Sequence, residues 1–459
     1  GCDGCNGLAA RPAAEPLSPD RDDAELMSAA SPETAPAPRP FGPLSYDSDG
    51  ALQLSGVALA PLAAQYGSPL YVYSGAHISA QIQRLQTAFA ALDPLICYAV
   101  KANMNTHVIA HVARHGVGAD VVSAGELKRA LAGGVAPEKI VFAGVAKQPA
   151  ELEAGLAAGI LQFNVESWAE LEALNAAAGR LGKTAPVALR VNPDVDAQTL
   201  AKITTGTRGN KFGLPFDDIP ALVCQMEALP HVRLEALAMH IGSQLLKIQP
   251  FANAYRRLAD LTRHLASEQG TVLQRLDMGG GLGIPYSPED GEGPDPADLA
   301  AAAVEHLGPL GLPTIMEPGR FLVGNAGVMI ADVVYTKDSY DHRFLLLNAG
   351  MNDLMRPALY DAYHHVLPLV QSDAGLVPQD LAGPICESTD VFAKQRPLPP
   401  LAEGAQLAFC TAGAYCAVLA NHYNGRALPA EVLLEDDGTA RLIRQAVSDE
   451  DMIAREQAL

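Results

Sequence analysis

The stretch Tyr98-Ala99-Val100-Lys101-Ala102-Asn103 places one lysine at the end of an apolar run. An ammonium buried without a partner is costly. Such a lysine either snorkels to the surface or holds its amine for a purpose. Further along the chain, other polar residues stand at the ends of apolar runs. They are His240 with Gly242 and Ser243, the run Gly279-Gly280-Gly281-Leu282-Gly283, and Glu317-Pro318-Gly319-Arg320. Each could do chemistry. An amine condenses with an aldehyde. A glycine-rich turn after a strand lets backbone N–H groups approach a phosphate. A carboxylate beside a pyridine nitrogen keeps it protonated. An imidazole can stack on a flat ring. Each also has a plainer reading: a turn that binds nothing, a histidine that only bonds its neighbours, a Glu317 that caps a helix or pairs with Arg320.

These residues need a scaffold that brings them together. Eight short apolar runs, at 96–100, 118–122, 140–142, 162–165, 187–191, 234–240, 275–278 and 314–317, alternate with segments of helical composition such as 123–133 and 167–179. That alternation predicts a parallel sheet. Eight repeats over this length predict an α/β fold, a (β/α)8 TIM-like barrel, whose chemistry sits at the C-terminal strand ends. Lys101 then follows strand one, with Asn103. Asp120, Ser123 and Glu126 follow strand two, Glu166 strand four, and Arg190 and Asn192 strand five. His240 and Ser243 follow strand six, the glycine run strand seven, and Glu317, Gly319 and Arg320 strand eight. Barrels often hold phosphate in the loops after strands seven and eight. Beyond about residue 325, runs at 328–335, 344–347, 406–409 and 431–434 lack intervening helices. They predict an antiparallel β domain. The division expected is a disordered extension over 1–40, a segment over 41–66 joining the β domain, a cofactor-binding barrel over 67–324 and a C-terminal β domain over 325–459.

Bulk properties narrow the partners. The 459 residues carry 52 acidic and 32 basic side chains, a net charge of -20, which repels nucleic acid and anionic lipid. No apolar stretch reaches the ~18 residues of a membrane span. Seven cysteines are scattered rather than clustered, which suits a reducing, cytoplasmic setting. Cys2-x-x-Cys5 has metal or redox spacing, but no second ligand pair lies nearby and no metal site is expected. The first residue is not Met, and Met27 is the expected start; peptides from 1–26 in the native protein would refute this. Taken together, the rim offers an amine, a phosphate cradle, an acid for a ring nitrogen and a flat stacking partner. That is a site for pyridoxal 5'-phosphate (PLP), which stabilises the carbanion left when a bond to Cα breaks.

Residues 98–103, 240–244, 279–283 and 317–320 resemble the alanine-racemase-like group of PLP enzymes with barrel and β domains. More narrowly, the chain is similar to the basic amino-acid decarboxylases of that group. Gly383-Pro384-Ile385-Cys386-Glu387-Ser388-Thr389-Asp390 resembles the Cys-Glu-Ser motif of diaminopimelate decarboxylases, where ornithine decarboxylases typically carry Cys-Asp. Residues 351–360, Gly413-Ala414-Tyr415, Arg190-Val191-Asn192-Pro193 and Lys211-Phe212-Gly213 match the same pattern. The resemblance covers about 41–450. The stretch 416–422 is more apolar than in relatives, which tend to have Gly and Ser there.

The resemblance implies roles. Lys101 would carry the cofactor, His240 stack on its ring and Glu317 face its nitrogen. Ser243, Gly279, Gly280, Gly281, Gly283, Gly319, Arg320 and Tyr415 would hold the phosphate region. Arg320, Arg356, Tyr360 and Tyr415 would contact the substrate, Glu387 would recognise its distal ammonium, and Cys386 would protonate the carbanion. Cys386 and Glu387 would come from a second subunit, which implies a homodimer. The reaction implied is decarboxylation of meso-2,6-diaminopimelate to L-lysine, the last step of lysine biosynthesis. Two arginines and a tyrosine suit a carboxylate at the non-reacting end. The alternatives are a decarboxylase of D-lysine or D-ornithine on the same scaffold, and an inactive regulator or PLP carrier.

Overall fold

The computed structural model describes residues 38–195 and 211–458. The expectations for residues 1–37, the Cys2/Cys5 pair and Met27 among them, lie outside the described residues. The Arg39 carbonyl accepts from His365 Nε2 at 3.1 Å.

Eight parallel strands form a closed barrel: Leu95–Ala99, Gly118–Val121, Ile140–Phe142, Gln162–Val165, Ala185–Asn192, Val232–Met239, Arg275–Asp277 and Thr314–Met316. They pair in chain order, and the last returns to the first through Ile315 opposite Leu95. A two-residue strand, Leu214–Pro215, adds beside the fifth. The strands read as apolar runs because both faces are covered, one by the barrel interior and one by helices. Helices start where short polar side chains can take an orphan N–H. Ser123 accepts from Glu126 N, Ser167 from Glu170 N and Asn105 from His107 N. These caps end the loops that carry the rim residues.

The second sheet runs in the order Val391–Leu398, Val377–Ala382, His342–Leu347, Gly327–Ser339, Leu70–Ser74, Ala430–Leu434, Ala440–Arg444, with Val366–Pro368 and Gln406–Phe409 branching from Gly327–Ser339. Most pairings are antiparallel. Two are parallel, His342–Leu347 with Val377–Ala382 and Ala430–Leu434 with Leu70–Ser74, so the sheet is mixed. Strand Leu70–Ser74 also corrects the sequence reading, which put it on the barrel side of residue 67. It lies inside the sheet because every residue in it is buried, and only a central position gives such a strand partners on both edges. The segment before it packs on the same sheet: Leu52 N donates to Leu369 O at 2.9 Å and Tyr46 Oη to Pro368 O at 2.7 Å.

One buried polar knot ties barrel to sheet. Glu431 is almost fully buried. Its carboxylate accepts from Tyr73 Oη at 2.5 Å and Asn105 Nδ2 at 3.3 Å, and pairs with Arg444 Nη1 at 2.8 Å. Asn105 caps the helix that follows Lys101, so the knot fixes the barrel rim against the sheet. Removing one partner of a buried charged network typically costs about 3 kcal/mol or more. Glu431→Leu should therefore lower the thermal unfolding midpoint by several degrees, followed by far-UV circular dichroism; an unchanged midpoint would show the knot to be dispensable.

Candidate active site

Lys101 sits in a one-turn helix, Val100–Ala102, just past the first barrel strand. Its Nζ lies 2.7 Å from Asp120 Oδ2, and the Asp120 side chain is wholly buried. The Lys101 side chain keeps 37% exposure toward the cavity. Burial alone would lower its pKa, but the charges of Asp120, Tyr415 and Glu317 outweigh it and raise it. The amine is thus held at the cavity wall rather than snorkelling away. The second Asp120 oxygen, Oδ1, has no hydrogen-bond partner.

A cavity, open at its mouth, lies over this amine, and Lys101, His240, Ser243, Gly279, Gly280, Gly281, Glu317, Gly319, Arg320 and Tyr415 line it. The loops after strands six and seven are zipped together. Leu245 N donates to Gly281 O at 3.0 Å and Gly283 N to Leu245 O at 2.9 Å, and Gln244 Nε2 donates to Ile284 O at 2.7 Å. This close approach requires glycine. Gly279 has φ +69° and a Cβ there would stand 2.1 Å from Met239 O; Gly281 has φ +114° and its Cβ would meet Gly242 O at 2.2 Å. Gly283 sits in the same zipper but outside the wall of the cavity. Gly280 N donates to His240 Nδ1 at 3.3 Å, which fixes that nitrogen as an acceptor. Burial first, then the charges of Arg190 and Lys101, push the His240 pKa well down. The ring is neutral and its orientation is set.

Under the cavity floor, Glu317 meets a second acid. Asn164 Nδ2 donates to Glu317 Oε1 at 3.1 Å and to Asp277 Oδ2 at 3.0 Å, and the two carboxyl groups hydrogen-bond to each other. Gly279 N donates to Asp277 Oδ1 at 3.0 Å. Burial, then the charges of Asp277 and Asp120, drive the Glu317 pKa well up. Burial also raises Asp277, to about 6. Of the two acids, Glu317 is thus the one whose proton is held more tightly. It makes no pair with Arg320, which turns the other way. Arg320 Nη1 donates to Tyr286 Oη and Nη2 to Ser243 Oγ at 3.1 Å, and its guanidinium lies 4.8 Å from the Tyr415 ring. Its buried Nε lacks a partner.

Arg356 is also buried rather than on the surface. It opens the short helix Arg356–Tyr360, with its guanidinium 4.8 Å from the same Tyr286 ring and Nη1 2.9 Å from His364 Nε2. Among the described residues, neither Arg320 nor Arg356 is paired with a carboxylate. Tyr360, one turn on, is half-buried, while Cys386 and Glu387 are exposed and outside the cavity. The loop bearing them is pinned by Asp390, which accepts from Met351 N at 2.6 Å and Ile385 N at 2.7 Å. Sequence reading assigned no role to Asp120, and did not find Asp277, Asn164, Tyr286 or His364. Asp277 carried the signal that exposed Lys101, an ionisable residue inside an apolar run. Tyr286 and His364 carried none.

PLP is a planar, doubly charged aldehyde. The donor set fits it: an amine at one wall, a buried Arg320 whose Nε–H has no partner among the described residues, a glycine zipper, and an acid below. Fold and site define a PLP-dependent decarboxylase of the barrel type. The family model "Pyridoxal-dependent decarboxylase, pyridoxal binding domain" matches residues 75–324. The chain is 44% identical over 397 residues to the diaminopimelate decarboxylase of Aquifex aeolicus, spanning 86% of this chain and 93% of the relative. It is 45% identical over 397 residues to that of Neisseria meningitidis serogroup B, with 86% and 95% covered. The solved diaminopimelate decarboxylase of Helicobacter pylori complexed with L-lysine matches at a TM-score of 0.83 and 37% identity, over 87% of this chain and 99% of that one. The chain belongs to the diaminopimelate decarboxylase family. A lysine/ornithine decarboxylase from Vibrio vulnificus, at 22% identity and a TM-score of 0.72, shares the fold.

One acid near the amine gives a pH test. Glu126 accepts from Val122 N at 2.9 Å, yet burial raises its pKa from 4.5 to about 7. A carboxyl raised on folding stabilises the native state below its unfolded pKa, and that contribution is lost as pH rises through the folded value. Glu126→Gln fixes the neutral form. The thermal midpoint of the variant minus that of the wild type should therefore increase between about pH 4.5 and pH 7; a difference flat across this window would contradict the assignment.

Proposed function

We propose that this chain removes CO2 from one end of meso-2,6-diaminopimelate and releases L-lysine, with PLP as cofactor. One observation carries the choice of substrate: two buried guanidinium groups, Arg320 and Arg356, flank one tyrosine beside the Lys101 cavity, and neither has a carboxylate partner among the described residues. Burying an uncompensated charge is costly unless a ligand supplies the opposite one. The cofactor phosphate would answer Arg320. A substrate with a second carboxylate would answer Arg356, whose fork matches it bidentately. A substrate ending in a plain amine would leave Arg356 unsatisfied.

In this reading Lys101 binds the cofactor aldehyde. The cofactor supplies an electron sink for the bond that loses CO2. Glu317 would face the ring nitrogen, with Asp277 and Asn164 fixing its carboxyl group. His240, its ring orientation fixed by Gly280 N, would stack on one face of the ring. Ser243, Gly279, Gly280, Gly281, Gly319, Arg320 and Tyr415 would hold the phosphate end, with Gly283 serving only to close the loop behind them; Tyr360 and Tyr415 would complete the substrate wall. Cys386 delivers a proton to the substrate carbon and Glu387 holds the distal ammonium. Both are exposed in the single chain, which supports a homodimer in which each subunit completes the other's site. We divide the chain into a barrel over 67–324, which lends strand Leu70–Ser74 to the sheet, a β domain over 325–459, and a joining segment over 41–66. Among the described residues no helix is long and apolar enough to cross a membrane. The described cysteines are all free, and we place the enzyme in the cytoplasm.

Two measurements test this. With PLP, meso-diaminopimelate should exceed D-lysine, L-lysine and L-ornithine in kcat/KM for CO2 release; a better rival substrate would overturn the assignment. Lys101→Ala and Cys386→Ala should each be inactive alone. Mixed and reassociated, they should recover about a quarter of the wild-type rate, since half the dimers are mixed and each has one intact site. No recovery on confirmed subunit exchange would sink the shared site.

A further inference from the structure

We infer that His364 and Tyr286 are positioning residues that hold the Arg356 guanidinium in the one orientation able to read a second carboxylate, and so set the preference for a substrate with two amino-acid ends. This rests on the reading above that Arg356 faces that carboxylate.

The argument starts from the tautomer of His364. The ring is almost fully buried, and its Nδ1 lies 2.8 Å from the Cys410 carbonyl. A carbonyl only accepts, so Nδ1 carries the proton. Nε2 is left with its lone pair, and Arg356 Nη1 donates to it at 2.9 Å. Protonating the ring would put a second cation against Arg356. Burial, followed by that charge, pushes the His364 pKa down to about 3. His364 is therefore a permanently neutral acceptor. A carboxylate in its place would pin Arg356 equally well but would cancel its charge. The imidazole pins it and leaves the charge for a ligand.

Tyr286 supplies the second restraint. Arg356 lies over its ring at 4.8 Å, and His364 meets that ring edge-on at 5.7 Å and 82°. The three side chains form a closed triangle, each touching the other two. The ring contact and the bond to Nε2 restrain the guanidinium from two sides. The buried Cys416 thiol also contacts Arg356, but sulfur is a weak acceptor. The free edge of the fork is thereby aimed. The Tyr286 hydroxyl accepts from Arg320 Nη1, so one phenol sets the spacing between the cofactor-side and substrate-side guanidinium groups. The adjacent His365 does a different task, donating to Arg39 O and accepting from Tyr363 Oη.

The test uses the PLP-loaded enzyme with three probes. These are meso-diaminopimelate, D-lysine, which has the same reacting end but no second carboxylate, and L-lysine, whose affinity is read by calorimetry without turnover. His364→Leu should lower kcat/KM for meso-diaminopimelate about tenfold to a hundredfold, mainly through KM, and weaken L-lysine in parallel. D-lysine should lose far less, so the ratio of the two substrates falls. His364→Gln, which returns an acceptor near Nε2, should recover most of the loss. Tyr286→Leu should act as His364→Leu does, and decides the matter if His364→Leu fails to fold. Arg356→Met separates the two readings. If it leaves the substrate ratio unchanged, the carboxylate reading itself fails. If it collapses the ratio while His364→Leu and Tyr286→Leu leave it intact, or lower both substrates equally, the positioning inference is overturned.

Discussion

One ammonium at the cavity wall faces three buried carboxyl groups, and much of the barrel is arranged around that imbalance. Lys101 can neutralise one charge, and Asp120 takes it at 2.7 Å. Asp277 and Glu317 cannot both ionise beneath it, because like charges at close range in a low-dielectric interior repel strongly. Glu317 keeps the proton, and Asn164 bridges the pair. Below this, Gln162 and Arg275 continue the polar column: Gln162 Nε2 reaches Asp277 at 3.4 Å and Arg275 Nε reaches Gln162 Oε1 at 2.9 Å. A barrel interior is ordinarily filled by branched apolar side chains. Here part of that filling is a hydrogen-bonded column that ends at the cavity floor.

The opposite wall has the reverse sign. Arg320 and Arg356 are buried cations with neutral partners, a phenol, a hydroxyl and an imidazole. The acid floor and the basic wall meet at a neutral His240. A net charge of -20 would repel an anionic substrate at the surface, so a desolvated, uncompensated positive wall is what lets such a ligand enter and stay.

The sequence made the barrel legible because each strand is short, apolar and bounded by helix composition; the eight expected runs match the eight strands to within about two residues. The rim residues were legible for a related reason, since an ionisable or glycine residue after an apolar run has few structural excuses. The second sheet was harder. Strands Val366–Pro368, Val377–Ala382, Val391–Leu398 and Ala440–Arg444 were not anticipated. Three contain proline and the last carries two arginines, so their local pattern is weak and their pairing is decided by partners far away in the chain. Tyr286 and His364 escaped for the same reason. Nothing within ten residues of either says that they will meet over Arg356, because that meeting depends on the docking of sheet on barrel.

Strand Leu70–Ser74 has a consequence for the order in which the protein can be built. Its neighbours are Gly327–Ser339 on one side and Ala430–Leu434 on the other. A ribosome adds about 5–20 residues per second, so an early, apolar strand waits on the order of tens of seconds before either edge is covered. The barrel can close during that interval, because its eight strands lie between residues 95 and 316. The nascent chain is then a closed barrel trailing an unpaired strand at its front, the kind of exposed edge that invites mispairing with another chain. The last residues synthesised relieve that hazard, and they also bring Glu431 against Asn105, beside the lysine that the barrel placed first.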